Sequence, residues 1–310
     1  MKKILFKAKN VYKANLHCHT TVSDGEKIPE EIKKMYRDWG YQIVAFTDHN
    51  ELVNQSHLND ESFLAINSVE VDICQDVPGE SFSKKRVYHF NLYSPDPNAA
   101  ETPALMDMDY DDIDAINKYI QDRVDEGYLV CYNHPYWSLQ TYEEYSKIKN
   151  CFAMEIYNNG TEVADGYYGY CPQVYDEMLR LGNKIFCVSV DDNHNRYPED
   201  SPYNDSFGGF TVINSNSLSY DDVFTALKNG DFYSSQCPDI REISLDGDKL
   251  KVECSGVSLI IVRTDDRTCY IEKGDNLTSA EFTLNGKEKY IRVTCRDGKG
   301  LDANSNAYWL

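Results

Sequence analysis

Basic residues are scarce and dispersed in this 310-residue chain: 31 lysines and arginines stand against 51 acidic residues, a formal charge of −20. No Lys/Arg cluster exists to displace counterions from phosphates, which argues against a nucleic-acid duplex as partner. The acidic excess names no partner of its own and serves solubility. Apolar runs are short as well. None approaches the ~18 residues that mark a bilayer span, so no membrane partner is expected. The start Met1-Lys2-Lys3-Ile4-Leu5-Phe6-Lys7 is basic but lacks an apolar stretch of useful length, so it is not read as a signal peptide. The ten cysteines form no CxxC pair, which argues against a cysteine zinc knuckle. Without a secretory signal they are expected as reduced thiols in the cytoplasm. Repeats and low-complexity tracts are missing. What remains, 41% apolar and 13% aromatic residues, suits an ordinary packed core.

Short apolar runs alternate with helical patterns over the first 230 residues, the signature of a βα-repeating architecture. Pro29 opens a helix with Glu30 and Glu31 in its first turn, where carboxylates suit the helix dipole. Ile32, Met35, Tyr36 and Trp39 keep helical spacing, and Gly40 stops it. Strands are predicted at 43–46, 63–71, 86–93, 128–132, 153–157, 184–190 and 210–213, and further helices at 111–127, 172–182 and 220–230. Beyond Gly230 the pattern turns to short alternating segments at 240–250, 251–253, 258–263, 268–272, 281–284 and 290–295. Pairs such as Asp246-Gly247 and Asn285-Gly286 part them. The predicted fold class is α/β, with a large domain over 1–235 and a small all-β, sandwich-like domain over 236–310 that holds no histidine. Long loops at 94–110, 158–171 and 196–208 are candidate lids or substrate walls, or plain surface excursions.

Histidine is also scarce, but it is not dispersed. Six of the seven lie in short segments rich in ligand-type residues: His17-Cys18-His19, Asp48-His49, Val87-Tyr88-His89, Asn133-His134-Pro135 and Asp191-Asp192-Asn193-His194. Neutral imidazole and carboxylate are the usual ligands of zinc, iron and manganese. Period-two alternation sends His17 and His19 to one side of a strand, and does the same for Asp192 and His194. Most of these residues fall at or just past the C-terminal ends of predicted strands, where α/β barrels build their active sites. Cys18 alternates away into packing. Asp48 and Asp191 point elsewhere, as acceptors behind the ligands. Glu155 either orients a histidine or makes a structural polar contact. Tyr136 and Trp137 either wall a pocket or pack in the core. His57 lies in a polar stretch and is read as solvated.

Taken in order, His17-Cys18-His19 with Ser23-Asp24-Gly25, Phe46-Thr47-Asp48-His49, Val69-Glu70, Asn133-His134-Pro135 and Asp192-Asn193-His194 resemble the PHP (polymerase and histidinol phosphatase) superfamily over about residues 12–235. The resemblance implies a distorted (β/α)7 barrel and phosphoesterase chemistry at two or three divalent ions, manganese, iron or zinc. It allots His17, His19, Glu70 and Asp192 to a first ion. Glu70, as bridge, joins His89 and His134 at a second, and Asp24, His49 and His194 hold a third. Three ions facing three carboxylates would leave the pocket about three charges positive, enough to bind phosphate within an acidic chain.

The function this implies is hydrolysis of a small organic phosphate ester by metal-bound hydroxide. The ester is a phosphomonoester or a cyclic phosphodiester, with nucleotides among the candidates. Glu70, Asp192 and Arg196 are the candidate catalytic residues. Arg196, two past His194, offers a bidentate guanidinium to phosphate, or is an ordinary loop arginine. Two readings compete: carbon-centre hydrolysis by an amidohydrolase-like site, and a metal-stabilised scaffold whose β domain binds a partner. A purely structural site needs closed coordination and fewer ligands. Oligomeric state stays open.

Overall fold

The structure, a computed structural model, describes residues 2–104 and 108–310. Met1 of the N-terminal segment and residues 105–107 of the long loop at 94–110 lie outside the described residues. In chain order, β1 (Lys3–Lys7) and β2 (Val11–Asn15) precede α1 (Pro29–Asp38), β3 (Ile43–Phe46), β4 (Leu64–Cys74) and β5 (Val87–Tyr93). Next come α2 (Ile113–Asp125), β6 (Leu129–Tyr132), α3 (Tyr142–Tyr145), β7 (Ala153–Asn158), α4 (Asn159–Val163), α5 (Pro172–Arg180) and β8 (Phe186–Val190). β9 (Phe210–Asn214), α6 (Tyr220–Asn229) and β10 (Phe232–Ser235) lead into β11 (Ile240–Asp246), β12 (Lys249–Thr264), β13 (Cys269–Thr283), β14 (Tyr290–Arg296), β15 (Asp302–Ser305) and β16 (Tyr308–Trp309).

Local chemistry explains the helix ends. In α1, Pro29 occupies the first turn, Ile32 and Tyr36 are buried, and Gly40 follows at φ 78°. In α6, the Ser219 side chain accepts from the Asp222 N–H, and Gly230 closes the helix at φ 75°. β3 reads Ile-Val-Ala-Phe and is buried throughout, because it pairs in parallel with β2 and β4 and has both faces covered.

The architecture is mixed α/β, one large sheet with few helices. Strict βα alternation does not hold. β4 and β5, and then β5 and β6, pair antiparallel, and only three-residue 3₁₀ turns (Ser56–Leu58, Phe82–Lys84) interrupt the connections on either side of β4. Those polar connections carry no apolar stripe at helical spacing, so a helix there would have nothing to bury. β6, β7 and β8 return to parallel pairing. The run from β2 to β8 is then drawn together at its C-terminal ends. Asp192 N donates to His17 O at 2.9 Å and His19 N to Asn193 O at 3.0 Å, with Cys18 and Asn193 in a parallel bridge.

The C-terminal strands share a separate core that includes Phe6 of β1, Ile243, Val252, Ile260 and Val293. β1 pairs antiparallel with β11, and β15 pairs with β10, so this region continues the main sheet. Here the predicted short segments are corrected. The stretches at 251–253 and 258–263 are one strand, β12, and those at 268–272 and 281–284 are joined by β13. Register shifts between Glu253 and Leu259 let the pair continue through Gly256, a bulge that a sequence pattern reads as a break. Fully buried Arg292 of β14 donates through Nε to Asp176 Oδ1 of α5 at 2.6 Å, tying the β region to the helical side. All ten cysteines are unpaired. No helix among the described residues is long and apolar enough to cross a membrane.

Candidate metal centre

Every residue of the predicted ligand set reaches one mouth: most lie at or past strand C-terminal ends, whereas Glu70 is inside β4 and His89 sits near the start of the antiparallel β5. His17 Nε2 and His19 Nε2 lie 3.1 Å apart. Each is 3.1 Å from Asp192 Oδ1 and 3.3 Å from Glu70 Oε2. Glu70 Oε1 faces His89 Nδ1 at 2.9 Å and His134 Nε2 at 3.3 Å, while His49 Nδ1 stands 3.2 Å from Oε2. Asp24 Oδ1 is 3.3 Å from His194 Nε2, 3.8 Å from His19 Nδ1 and 3.9 Å from His49 Nε2. His57 lies apart, exposed and paired with Glu30.

Donor counting shows what these atoms can hold. His17 Nδ1 sits 2.6 Å from Glu155 Oε1, and a carboxylate only accepts, so the ring proton is on Nδ1. Nε2 of a neutral His17 then presents a lone pair to His19 Nε2, Asp192 and Glu70. His194 repeats the pattern: Nδ1 donates to the Asp192 carbonyl at 3.2 Å, leaving the Nε2 lone pair against Asp24. Buried His89 Nδ1 has no hydrogen-bond partner despite its approach to Glu70, because the two are not aligned for one. So many converging acceptors need positive charge among them, as protons or as metal ions. Separations of 3.1–3.3 Å also suit ions, since a tetrahedral centre with bonds of about 2.0 Å spaces its ligands about 3.3 Å apart. The residues fit a metal cluster.

Without ions the same crowding binds protons. Burial disfavours charge on His17 and His19, yet Asp192 and Glu70 outweigh it, raising His17 well above the usual histidine range and His19 to about 9. Burial would likewise raise the Glu70 and Asp192 carboxyls, but the facing histidines hold both well below it. His49 is lowered to about 4, chiefly by burial.

A buried polar layer fixes these side chains. Besides His17, Glu155 accepts from His134 N at 3.0 Å and Asn158 Nδ2 at 2.9 Å, so of its two readings the orienting one describes its contacts. Asp48 accepts from Thr20 and Ser23 and shapes the turn that presents Asp24. Asp191 accepts from three successive N–H groups, Phe207, Gly208 and Gly209, at 2.8–2.9 Å, and from Tyr36 Oη at 2.8 Å. Gly160 lets α4 approach the Asp191–Asp192 backbone: a Cβ there would stand 2.7 Å from Asp192 O. Cys18 is fully buried and packs with Ile32 and Tyr36. Glu155→Gln places an amide where one acceptor oxygen was. It is expected to cut metal affinity about 10–100-fold at constant fold, read by chelator competition; unchanged affinity would refute the orienting role.

The ligand set opens into a cavity of about 460 Å³, whose wall also includes Trp137, Arg196 and Tyr197. Arg196 is not free: its Nη2 donates to Asp24 Oδ2 at 2.9 Å. Sequence reasoning missed Asp72, Asp165 and Asp205 on the same wall. Asp72 was legible in principle, two residues past Glu70 on the same strand face. Asp165 and Asp205 sit in irregular loops and carried no periodic signal.

No family model matches the sequence, and no curated protein matches it. Among solved structures, a two-domain protein from Bacteroides vulgatus containing a predicted PHP-like metal-dependent phosphoesterase aligns with 99% of this chain and 98% of its own, at 14% identity and a TM-score of 0.50. A candidate metal-dependent phosphoesterase from Bifidobacterium adolescentis aligns with 61% of this chain and 90% of its own, at 12% identity and a TM-score of 0.37. The likeness is one of fold: over its whole length this chain shares the fold of the Bacteroides vulgatus protein, which contains a predicted PHP-like metal-dependent phosphoesterase.

Proposed function

We propose that the protein is a metal-dependent phosphoesterase that hydrolyses a small organic phosphate ester at a site of two or three divalent ions, manganese, iron or zinc. The observation that carries this reading is the convergence of six histidines and three carboxylates at one mouth, with the His17 and His194 ring protons turned to acceptors behind them and their Nε2 lone pairs inward. On this reading residues 1–235 form a distorted (β/α)7 barrel and 236–310 a small sandwich-like domain. His17, His19, Glu70 and Asp192 hold one ion; Glu70, His89 and His134 a second; Asp24, His49 and His194 a third. Bound ions supply Lewis acidity and bring a water's pKa towards neutrality.

The chain's own groups do the rest. Glu155 keeps the His17 proton on Nδ1, so Nε2 stays available inside the cluster. Arg196, oriented by Asp24, retains further N–H groups for non-bridging phosphate oxygens. A cavity of about 460 Å³ suits a small organic molecule.

The test is phosphate release from a panel of phosphomonoesters, cyclic phosphodiesters, amides and lactones, using protein stripped and reloaded with each metal. Asp192→Asn serves as the control, expected to lose at least about 100-fold in kcat/KM. Release that this substitution removes supports the reading. Turnover of amides or lactones alone would replace it with carbon-centre hydrolysis.

A further inference from the structure

The wall of the cavity is far less cationic than its ligand set alone implies. Six carboxylates line it: Asp24, Glu70 and Asp192 of the ligand set, and Asp72, Asp165 and Asp205 beyond it. Among the described residues on the wall, Arg196 is the only arginine or lysine, and Asp24 already holds one of its nitrogens. Three divalent ions bring six positive charges against six carboxylates, so the loaded pocket keeps about the single charge of Arg196 in place of the three predicted from the ligands. One phosphate saturates that charge, and a second would meet carboxylates.

The three further carboxylates differ in what they can still bind. Asp205 is committed: it accepts from His194 N at 2.8 Å and from Asn195 N at 3.0 Å. Asp72 is met by the Asn50 amide. Asp165 stands exposed on the loop after α4, with the Trp137 indole beside it, and keeps acceptor capacity for a bound molecule. Phe82, Trp137 and Tyr197 supply the apolar part of the wall, and rings of this kind pack on the face of a sugar or base. The cavity thus combines a phosphate sink, a ring-sized apolar wall and carboxylate acceptors.

We propose that the site selects phosphomonoesters with a single phosphate on a hydroxyl- or amino-bearing ring compound, and that Asp165 sets the discrimination against a second anionic group. The inference rests on the phosphoesterase reading above. A second phosphate within several ångströms of an exposed carboxylate is expected to cost on the order of tenfold in binding, after solvent screening. Hydroxyl or amino groups at the same place would donate to Asp165 instead. Desolvation by the surrounding loop atoms and the neighbouring Asp192 both make its carboxyl hold a proton more tightly than usual, so the comparison is run above neutral pH.

The experiment compares kcat/KM for matched pairs on the metal-reloaded enzyme: a hexose monophosphate against the hexose bisphosphate, and a nucleoside monophosphate against the same nucleoside with two separate phosphates. The wild type is expected to favour each monophosphate by about tenfold or more. Asp165→Asn should close most of that gap from both sides, through a lower KM for the bisphosphates and a higher KM for the hydroxyl- or amino-bearing monophosphates. Asp72→Asn, on another element of the wall, should narrow it further. Equal or better wild-type rates on the bisphosphates, or a ratio that Asp165→Asn leaves unchanged, would overturn the selectivity alone. No release from any substrate with any metal would overturn both the selectivity and the phosphoesterase reading.

Discussion

Glu70→Gln is expected to lower kcat/KM by roughly 10³-fold or more and to reduce the metal retained per chain. No other carboxylate in the cluster is so widely shared. Its Oε1 faces His89 and His134 and accepts from Asn133 Nδ2 at 2.8 Å, while its Oε2 faces His17, His19 and His49. Glutamine keeps the shape but removes a negative charge and turns one acceptor into a donor, aimed at ring nitrogens that hold the ions on the proposed reading. Metal analysis after gel filtration and steady-state kinetics on the best phosphoester measure the two effects together. A variant that kept full metal and a tenth of the activity would refute the bridging role assigned to Glu70.

Asp191→Ala is expected to destabilise the fold by about 3–5 kcal/mol, a fall in Tm of roughly 5–10 °C. The carboxylate is fully buried, and burial pushes its pKa up to about 7, yet four donors converge on it. Alanine would leave the N–H groups of Phe207, Gly208 and Gly209 without this acceptor, while the Tyr36 hydroxyl would turn wholly to Asn193 Oδ1, 2.8 Å away. Each unsatisfied buried donor costs about 1–3 kcal/mol, and partial relaxation brings the total below the simple sum. Because Asp191 precedes Asp192, the same change should also loosen the ligand segment, so metal would protect the variant less than the wild type. Thermal unfolding with and without metal reads both effects. A shift under about 1 kcal/mol would mean that the 207–209 turn is held by something else.

Local order explains what the chain discloses without its structure. Among the described residues, four of the six helices end within about two residues of where the sequence pattern puts them, because caps and stops such as Pro29, Ser219 and Gly230 act over a single turn. The pairing of His17 with His19 across the Cys18 bridge follows from alternation, another short-range rule, whereas Asp192 and His194 lie past β8 with Asp192 at φ 53°, outside that rule. β3, buried on both faces, announces itself as an unbroken apolar run.

What eluded the sequence depends on partners far away in the chain. β1 joins β11 across more than two hundred residues, and β12 passes through a bulge that resembles a turn until its neighbours are known. Arg196 looks free to bind phosphate until the drawn-together sheet sets Asp24 against it. Asp165 and Asp205 become wall residues only because their loops fold over the same mouth. By itself, then, the sequence determined the ligand-type residues, the common facing of His17 and His19, and most element ends before residue 236. The tertiary structure alone decided which acceptors face one another and how much charge the cavity carries. Those depend on the distance between groups remote in sequence, and electrostatic energy is set by distance in space.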